Sequence, residues 1–506
     1  MWSQDGTKLL VSGPVAQERQ GVYMISVIGA SLKKLRDDAF QASLSPDGSQ
    51  IVYLDSVKRS IGIMNSDGSQ AHDFLKPEGG YRLFGPTWIS NGKRILYVRQ
   101  HSSLEGPTGA LESRDLNAGD PQVLLSDLRV TFATYEQPGR IIFSMSEAPP
   151  RQYERNLYEL RYNVDTGKPK GKPQQLTNWN GYSFTDFHAT SDGNHFVFLN
   201  GKLESAVYLA ELGNNNTELK APQRLTLNAA INWFGSWSPD GKNIVFTSNR
   251  DGNYNIYVQG IQERSPRALA SGPEEQLSPV VSPDGKWVLY VQWPKVVAPK
   301  LTVTGGKVMR VPIAGGAPEF VMDVKGSFTL DSDPITIITS IPNIRCPLNG
   351  DCLVAESGDT GLTFSAFDPT QGRKKEFGKA PGVPDFMGWN ISPDGTQVAT
   401  TEFDYKVGKV QIVAAGSATP QKFSSGEWAQ LNGVSWSSDG KSLFLLSYSS
   451  RGTAVVHSDL TGHATMLYRP SWDIWAVQPS PDGKTLAFAP MIDNSNAWSM
   501  GYFPSK

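Results

Sequence analysis

The sequence predicts an all-β protein, a β-propeller built of four-stranded antiparallel blades, and three observations carry that prediction. A Ser-Pro-Asp-Gly phrase recurs along the chain, for instance at Ser238–Gly241, and a strand-like run such as "NIVFTS" follows it. Further strands follow each copy, and the last of them often begins with Pro-x-x-Leu or a similar segment. The copies are spaced by a little over forty residues, a period typical of propeller blades. Gly at 49 and Pro at 34 suit a protein of strands and turns.

The repeated phrase itself predicts a tight turn. Pro presets the backbone for the second turn position, Asp bonds nearby backbone groups, and Gly accepts the left-handed conformation. The β-branched and aromatic residues that follow favour a strand, so each unit opens as a hairpin. We therefore interpret the phrase as a structural unit rather than as a repeated ligand site for a metal such as calcium.

A third and a fourth strand complete each predicted blade. The third is visible in "NIYVQG" from Asn255 and "AVYLAEL" from Ala206, and the fourth in "PQQLTN" at Pro173 and "PQRLTL" at Pro222. The turn residues that mark the units are Asp5, Asp47, Asn91, Asp192, Asp240, Asp284, Asp394, Asp439 and Asp482. Two long gaps each contain a degenerate unit, "ATYEQPGRIIFSMS" from Ala133 and "IPNIRCPLNGDCLVAES" from Ile341. About eleven blades result.

Two propellers are expected, because eleven blades are awkward for one ring. Residues 1–169 would form about four blades of an incomplete propeller that opens on an innermost strand, "MWSQDGTKLL", and we expect the natural protein to continue upstream. Residues 170–506 would form about seven blades, with "PQQLTN" as the outer strand that completes the last one. A division near residue 229, into five and six blades, is the open alternative.

The repeat resembles that of the TolB-like propeller family of bacterial envelope proteins, most closely in "SPDGKNIVFTSNRDGNYNIYV". The second half also resembles the extracytoplasmic propeller of bacterial membrane-bound serine/threonine kinases and winged-helix regulators, on "IRCPLNGDCLVAESG", "FSAFDPTQGRKKEF" and "VVHSDLTGHATMLY". This resemblance implies a periplasmic or extracytoplasmic location and a protein or peptide partner. A propeller fold alone does not fix a function.

Composition excludes several classes of partner. Lys and Arg total 47 against 49 Asp and Glu, which gives no electrostatic reason to expect nucleic acid. No apolar run is long enough to span a membrane and the first residues are not those of a signal peptide, so we expect no membrane insertion by this chain itself. We expect a monomer without a cofactor.

Catalysis by this chain is not expected. The glycine-rich loop and the HRD and DFG elements of a kinase are absent, and "GVSWSS" from Gly433 lacks the closing Gly of a hydrolase elbow. The six His residues contain no close pair with metal-ligand spacing, so no metal is predicted. His188 and His195 flank one hairpin turn, and we interpret them as ordinary strand residues.

The two cysteines, Cys346 and Cys352, bracket "PLNGD", where other blades carry their turn. Adjacent hairpin strands would bring them together, so we predict a disulfide and hence an oxidising compartment.

The candidate ligand site is the end of the central channel where the innermost strands begin. The residues selected there are polar or aromatic: Asp186, Trp233, Gln276, Asp385 and Trp475. Three other tryptophans near these strands, Trp237, Trp389 and Trp436, are interpreted as core residues between blades.

Two functions from different classes remain open at this point. One is a non-catalytic binding or sensing propeller for a protein, peptide or small ligand in the bacterial cell envelope, as the sensor portion of a larger signalling protein. The other is the propeller of a prolyl-oligopeptidase-like hydrolase, or of a lyase, whose catalytic part lies outside this chain.

Overall fold

The computed structural model describes most of the chain, and all statements below concern the described residues. These are residues 1–3, 5–14, 20–29, 31–78, 81–101, 108–117, 119–127, 129–148, 154–179, 183–189, 195–201, 203–213, 216, 218–228, 230–294, 302–329, 343–358, 361–382, 388–402, 404, 406–417, 419–449, 452–470, 472–493 and 496–501.

Forty-four strands form eleven antiparallel sheets in this part of the chain, as the sequence predicts for an all-β propeller protein. The first five sheets contain β1 (Lys8–Pro14), β2 (Gln20–Ser26) and β3 (Leu32–Asp37); β4 (Ala39–Leu44), β5 (Gln50–Asp55), β6 (Ile61–Asn65) and β7 (His72–Leu75); β8 (Tyr81–Trp88), β9 (Arg94–His101), β10 (Thr108–Asp115) and β11 (Gln122–Ser126); β12 (Val130–Gln137), β13 (Arg140–Ser146), β14 (Arg155–Tyr162) and β15 (Pro169–Gln175); and β16 (Ser183–Ala189), β17 (His195–Gly201) and β44 (Asn496–Gly501).

The other six sheets use the strands between β17 and β44. They contain β18 (Leu203–Ser205), β19 (Tyr208–Gly213), β20 (Glu218–Leu219), β21 (Gln223–Arg224), β42 (Asp473–Pro479) and β43 (Thr485–Asp493); β22 (Asn232–Trp237), β23 (Asn243–Asp251), β24 (Asn253–Gly260) and β25 (Arg267–Ala270); β26 (Glu275–Val281), β27 (Trp287–Trp293), β28 (Thr302–Pro312) and β29 (Glu319–Thr329); β30 (Asn343–Arg345), β31 (Cys352–Gly358), β32 (Gly361–Asp368) and β33 (Gly372–Pro381); β34 (Trp389–Ile391), β35 (Gln397–Glu402), β36 (Lys409–Ala414) and β37 (Gln421–Ser424); and β38 (Leu431–Trp436), β39 (Ser442–Ser447), β40 (Ala454–Asp459) and β41 (Ala464–Tyr468).

Contacts between neighbouring sheets divide them into two groups. In the first group, strands β1, β4, β8, β12 and β16 touch one another in series. In the second, contacts run from the β22 sheet through the β26, β30, β34 and β38 sheets to β42, and β42 and β43 return to β22. The second group, residues 203–493, is therefore a closed ring of six sheets, which we call the six-sheet ring.

Strands from distant parts of the chain close the six-sheet ring. The hairpin β42–β43 is extended by β19, which lies ahead of the rest of the ring in the sequence, and β20 and β21 both pair with β19. The segment "PQRLTL" thus supplies the outer strand that the sequence analysis assigned to "PQQLTN". That earlier segment falls in β15, which pairs with β14 in the first group.

The strand β44 leaves the six-sheet ring and joins the first group. It pairs with β17 over His195–Asn200, as the third strand of the β16–β17 hairpin. The prediction that "NAWSMGYF" is the third strand of the last blade is therefore wrong: β19 fills that place in the β42–β43 sheet.

The chain opens on the end of an innermost strand, as the sequence predicts. β1 follows the turn at Ser3–Gly6 and so corresponds to the second strand of a blade. Only a bridge between Trp2 and Leu9 stands in the innermost position of this sheet among the described residues.

The Ser-Pro-Asp-Gly turns are stabilised by one set of hydrogen bonds that recurs. Ser238 Oγ donates to Asp240 Oδ1 at 2.5 Å and accepts from Asn243 N at 2.9 Å, while Lys242 N donates to Asp240 Oδ1 at 3.1 Å. The Ser238 hydroxyl is the main reason why the pKa of Asp240 lies below its usual range. The same bonds occur at the turns that begin with Ser45, Ser282, Ser392, Ser437 and Ser480.

The turn glycines have the left-handed backbone that the phrase predicts, with φ of 70° at Gly241 and 71° at Gly285. Each also lies beside the turn of the neighbouring blade. A Cβ on Gly285 would be 3.7 Å from Pro239 Cδ, and one on Gly241 would be 3.8 Å from Pro481 Cδ. The turns therefore line one end of the six-sheet ring, and the innermost strands begin at the opposite end.

Apolar clusters fill the spaces between adjacent sheets, and the three tryptophans interpreted as core residues belong to them. Trp237, Trp389 and Trp436 are all at most 6% exposed. Trp237 Nε1 donates to Gln478 O across the point where the ring closes, and Trp436 Nε1 donates to Asn390 O.

Candidate functional site

The end of the six-sheet ring where the innermost strands begin, called the mouth below, is shaped by β-bulges. The strand pairing shifts between Phe234 and Ser236, between Leu277 and Val280, between Leu431 and Gly433, and between Ile474 and Ala476. A bulge leaves an extra residue outside the ladder and can redirect its side chain. Trp475 is such a residue, and it is 37% exposed.

Among the described residues of the ring, two innermost strands begin with a carboxylic acid at the same place. Glu275 and Asp473 each lie seven residues ahead of the first serine of a turn, Ser282 and Ser480. Each accepts a hydrogen bond from the residue at or just before the third strand of the preceding blade. The two acids therefore join neighbouring blades, but they differ in exposure.

Glu275 is enclosed. Only 2% of the residue is exposed, and its Oε2 accepts a hydrogen bond from Tyr254 N at 2.8 Å. Burial raises the pKa of Glu275 to about 7, and the bond from Tyr254 N opposes that rise. The rings of Trp233 and Tyr254 stack with centroids 4.6 Å apart, so the partner of this carboxyl is itself packed in the core.

Asp473 is only partly buried. Its Oδ1 accepts from Thr453 Oγ1 at 3.1 Å, and the Tyr448 hydroxyl also hydrogen-bonds to this carboxyl. Burial raises the pKa of Asp473 above its ordinary value, against both hydrogen bonds. Tyr448 is 41% exposed. Because it interacts with Asp473, its phenol belongs to the same end of β42 as the exposed indole of Trp475.

Two more of the predicted site residues are described by the structure, and neither presents an open surface. Trp233 is partly buried and packs against the cluster that contains Tyr254 and Leu277. Gln276 is 2% exposed, and its Oε1 is buried without a hydrogen-bond partner among the described residues.

The last two predicted residues are not brought to this mouth. Asp186 lies on β16, whose sheet pairs with β44 and touches β12 in the first group, and its side chain is outside the described residues. Asp385 lies in an undescribed segment, as does the turn at Asp192 between His188 and His195. Of the five predicted residues, Trp475 alone is both described and substantially exposed at the mouth.

Sequence reasoning missed Asp473, Tyr448 and Glu275. The signal that could have found the acids is their shared position, seven residues ahead of a turn serine, in the stretches "WDIWAVQ" and "EEQLSPV". Tyr448 lies in a loop whose place beside β42 depends on the neighbouring blade.

The turn that lacks Ser-Pro-Asp-Gly contains a disulfide. Cys346 and Cys352 are bonded, with Cα atoms 4.2 Å apart, where β30 ends and β31 begins. In the described part of the chain, no group of three or more His, Cys, Asp or Glu side chains is placed to hold a metal ion. Nor does that part contain a helix of the length and apolarity needed to cross a membrane.

The family comparison agrees with the predicted repeat. The model of the TolB beta propeller domain matches residues 167–310, which run from β15 into β28. The TolB-like character predicted from the repeat is thereby confirmed over the matched residues.

Among curated proteins, the chain is 29% identical over 111 residues to Uncharacterized protein Atu1656 of Agrobacterium fabrum. The alignment covers 21% of this chain and 38% of that protein, so the chain matches well under half of this relative's length.

Among solved structures, the chain is similar to TolB from Acinetobacter baumannii, with 14% identity over 75% of this chain and 82% of that one, and a TM-score of 0.22. It is also similar to oligogalacturonate lyase from Vibrio parahaemolyticus, with 12% identity over 57% and 84% of the two chains and a TM-score of 0.31. Likenesses at these scores support no conclusion about function.

Proposed function

We propose that this protein is a non-catalytic binding propeller of the bacterial cell envelope, which recognises a protein or peptide segment at the mouth of the six-sheet ring. We further propose that it is the sensing part of a larger signalling protein. The finer points of this proposal, the envelope location, the signalling role and the monomeric state, rest on the resemblance of the repeat to envelope propellers.

One observation carries the choice of site: the exposed aromatic side chains at the start of β42. Trp475 is 37% exposed at a bulge, and Tyr448, from the loop after β39, is 41% exposed. Large aromatic rings beside polar groups are the residues most often found at the centre of protein interfaces, because they bury much apolar area and keep a hydrogen-bonding group.

The disulfide between Cys346 and Cys352 supports an extracytoplasmic location, since disulfides persist in oxidising compartments and are rare in the bacterial cytosol. We also propose the division into a five-sheet group and the six-sheet ring as the domain organisation, in place of a boundary at residue 169. The inter-sheet contacts and the pairing of β44 with β17 support this division.

The experiment is a selection of random peptides displayed on phage against the purified protein, followed by affinity measurements on the enriched peptides. We expect Trp475→Ala and Tyr448→Ala each to weaken binding by about tenfold or more, the usual effect of truncating a central aromatic residue. The matched control is Phe320→Ala, because Phe320 is 55% exposed but lies on the outer strand β29.

Peptides that bind both mouth variants as well as the wild-type protein would overturn the proposed site. Cleavage of the enriched peptides by the purified protein would overturn the non-catalytic assignment and favour the hydrolase alternative.

A further inference from the structure

Among the described residues, the carboxyl group of Asp473 has hydrogen-bond partners but no charged partner. The donors to it are the hydroxyls of Thr453 and Tyr448, both neutral. No Lys, Arg or His nitrogen among the described residues lies within 4 Å of its oxygens. We infer that Asp473, with Tyr448 and Trp475, binds an organic cation, namely the alkylammonium or guanidinium group of a lysine or arginine in the bound segment. This inference rests on the proposed function and names the chemistry of its ligand.

Asp473 is desolvated without charge compensation from the described residues. A partly buried carboxylate has lost water, and neutral hydroxyls replace only part of that solvation. The raised pKa of Asp473 reflects this, because burial outweighs both hydrogen bonds. A cation from a ligand would supply the missing charge, and a charge-assisted hydrogen bond is stronger than a neutral one.

Glu275 differs from Asp473 in its exposure. Glu275 occupies the same position in another blade, yet it is only 2% exposed. Its hydrogen-bond donor is the backbone N–H of Tyr254, whose ring stacks on that of Trp233. Asp473 is partly exposed and its hydroxyl partner Tyr448 reaches the surface. The fold therefore closes one of two equivalent acids and leaves the other accessible to a ligand.

Two exposed aromatic side chains, Trp475 and Tyr448, belong to the same end of β42 as Asp473. An indole or phenol face attracts a cation, and the attraction is stronger where water is excluded. Trp475 follows Asp473 by two residues on β42, and Tyr448 bonds to Asp473 directly. An acid that interacts with an exposed phenol and lies two residues from an exposed indole is suited to an ammonium or guanidinium group and poorly suited to an anion.

The chain's own cations are the competing occupants. Arg469 lies near this end of the ring, but its guanidinium stands over the ring of Trp428, with its carbon 5.6 Å from the centroid. Arg451 belongs to the loop after Tyr448 and is outside the described residues. The test must therefore include a variant without Arg451.

The test uses the full chain and two acetylated, amidated pentapeptides, Gly-Gly-Lys-Gly-Gly and its norleucine analogue, with ligand-observed NMR titration as the readout. Free n-butylammonium is a third probe that distinguishes a small amine from a peptide as the source of the cation. We expect the lysine peptide to bind about tenfold tighter than the norleucine peptide, and Asp473→Asn to remove that difference. Glu275→Gln is the matched control and should preserve it.

Several outcomes would overturn the inference. These are equal affinity for the lysine and norleucine peptides, a preference that survives in Asp473→Asn, or one that disappears equally in Glu275→Gln. Tighter binding of the lysine peptide by Arg451→Ala would show that the chain's own arginine occupies the site. Tighter binding of n-butylammonium than of the peptide would overturn the assignment to a peptide. None of these results bears on whether Trp475→Ala weakens the binding of phage-selected peptides. The proposed function can therefore stand if the inference fails.

Discussion

Replacing Gly285 with valine tests the claim that the repeated turn is a structural element. Gly285 has φ of 71°, in the left-handed region that a β-branched residue rarely adopts. The nearest atom to an added Cβ is Pro239 Cδ at 3.7 Å, an ordinary van der Waals distance. The cost therefore comes from the backbone, and we expect Gly285→Val to lower the free energy of unfolding of the ring by about 1–3 kcal/mol.

Two further glycines turn this expectation into a ranking. A Cβ on Gly483, where φ is 70°, would clash with the Ser438 hydroxyl, so Gly483→Val adds the displacement of that hydroxyl to the backbone cost. Gly213 lies on β19 without a left-handed φ, and its Cβ would be 3.6 Å from Glu218 Oε2. We expect Gly483→Val to cost most, Gly285→Val less, and Gly213→Val within about 0.5 kcal/mol of the wild type.

Thermal unfolding and peptide binding are measured together for these variants. A loss of 1–3 kcal/mol corresponds to a fall of roughly 2–6 °C in Tm for a domain of this size. Variants that still fold should bind phage-selected peptides as the wild type does, because the turns lie at the opposite end from the mouth. Unchanged Tm in Gly285→Val, or lost binding at unchanged Tm, would refute the structural account of the repeat.

Two other predictions concern Glu275 and the disulfide. Because the folded pKa of Glu275 is raised from 4.5 to about 7, the folded state retains a proton that the unfolded chain releases between these values. The free energy of unfolding of the ring should therefore fall as pH rises through this window, by on the order of 1–3 kcal/mol. Denaturant titrations at several pH values should show a smaller fall in Glu275→Gln. Asp473, whose pKa is also raised, contributes in the same direction. Replacing Cys346 and Cys352 by serine should lower the free energy of unfolding by about 2 kcal/mol, the value that loop entropy gives for so short a loop. Mass spectrometry that finds two free thiols in exported protein would contradict the disulfide.

The repeat made the local structure of each blade predictable from the sequence. The assignment of strands to sheets was less predictable, because it depends on pairing between segments far apart in the chain. Ser238, Asp240 and Gly241 each have a conformational role that the residue type itself implies, so the turn and its hairpin could be read from the sequence. The strand that completes the last sheet of the ring could not be predicted in this way, because "PQQLTN" and "PQRLTL" have the same local sequence pattern. Only contacts between sheets far apart in sequence decide that the first joins β14 and the second joins β19.

The candidate site was predictable in position but not in composition. The start of the innermost strands was expected to hold the ligand, and Trp475 is exposed there. Gln276 and Glu275 are buried because the preceding blade packs over them, which the residue types do not reveal. Asp186 was grouped with the mouth because the sequence does not show that β16 belongs to the other group of sheets.

The pairing of β17 with β44 has a consequence for how the protein is made. The ribosome synthesises β16 and β17 before any strand of the six-sheet ring, yet their third strand emerges only after β43. The six-sheet ring cannot close until β43, in its hairpin with β42, has paired with β19. Neither half can complete its sheets before β43 and β44 have been synthesised, so until then each exposes an unpaired strand edge that is prone to aggregation.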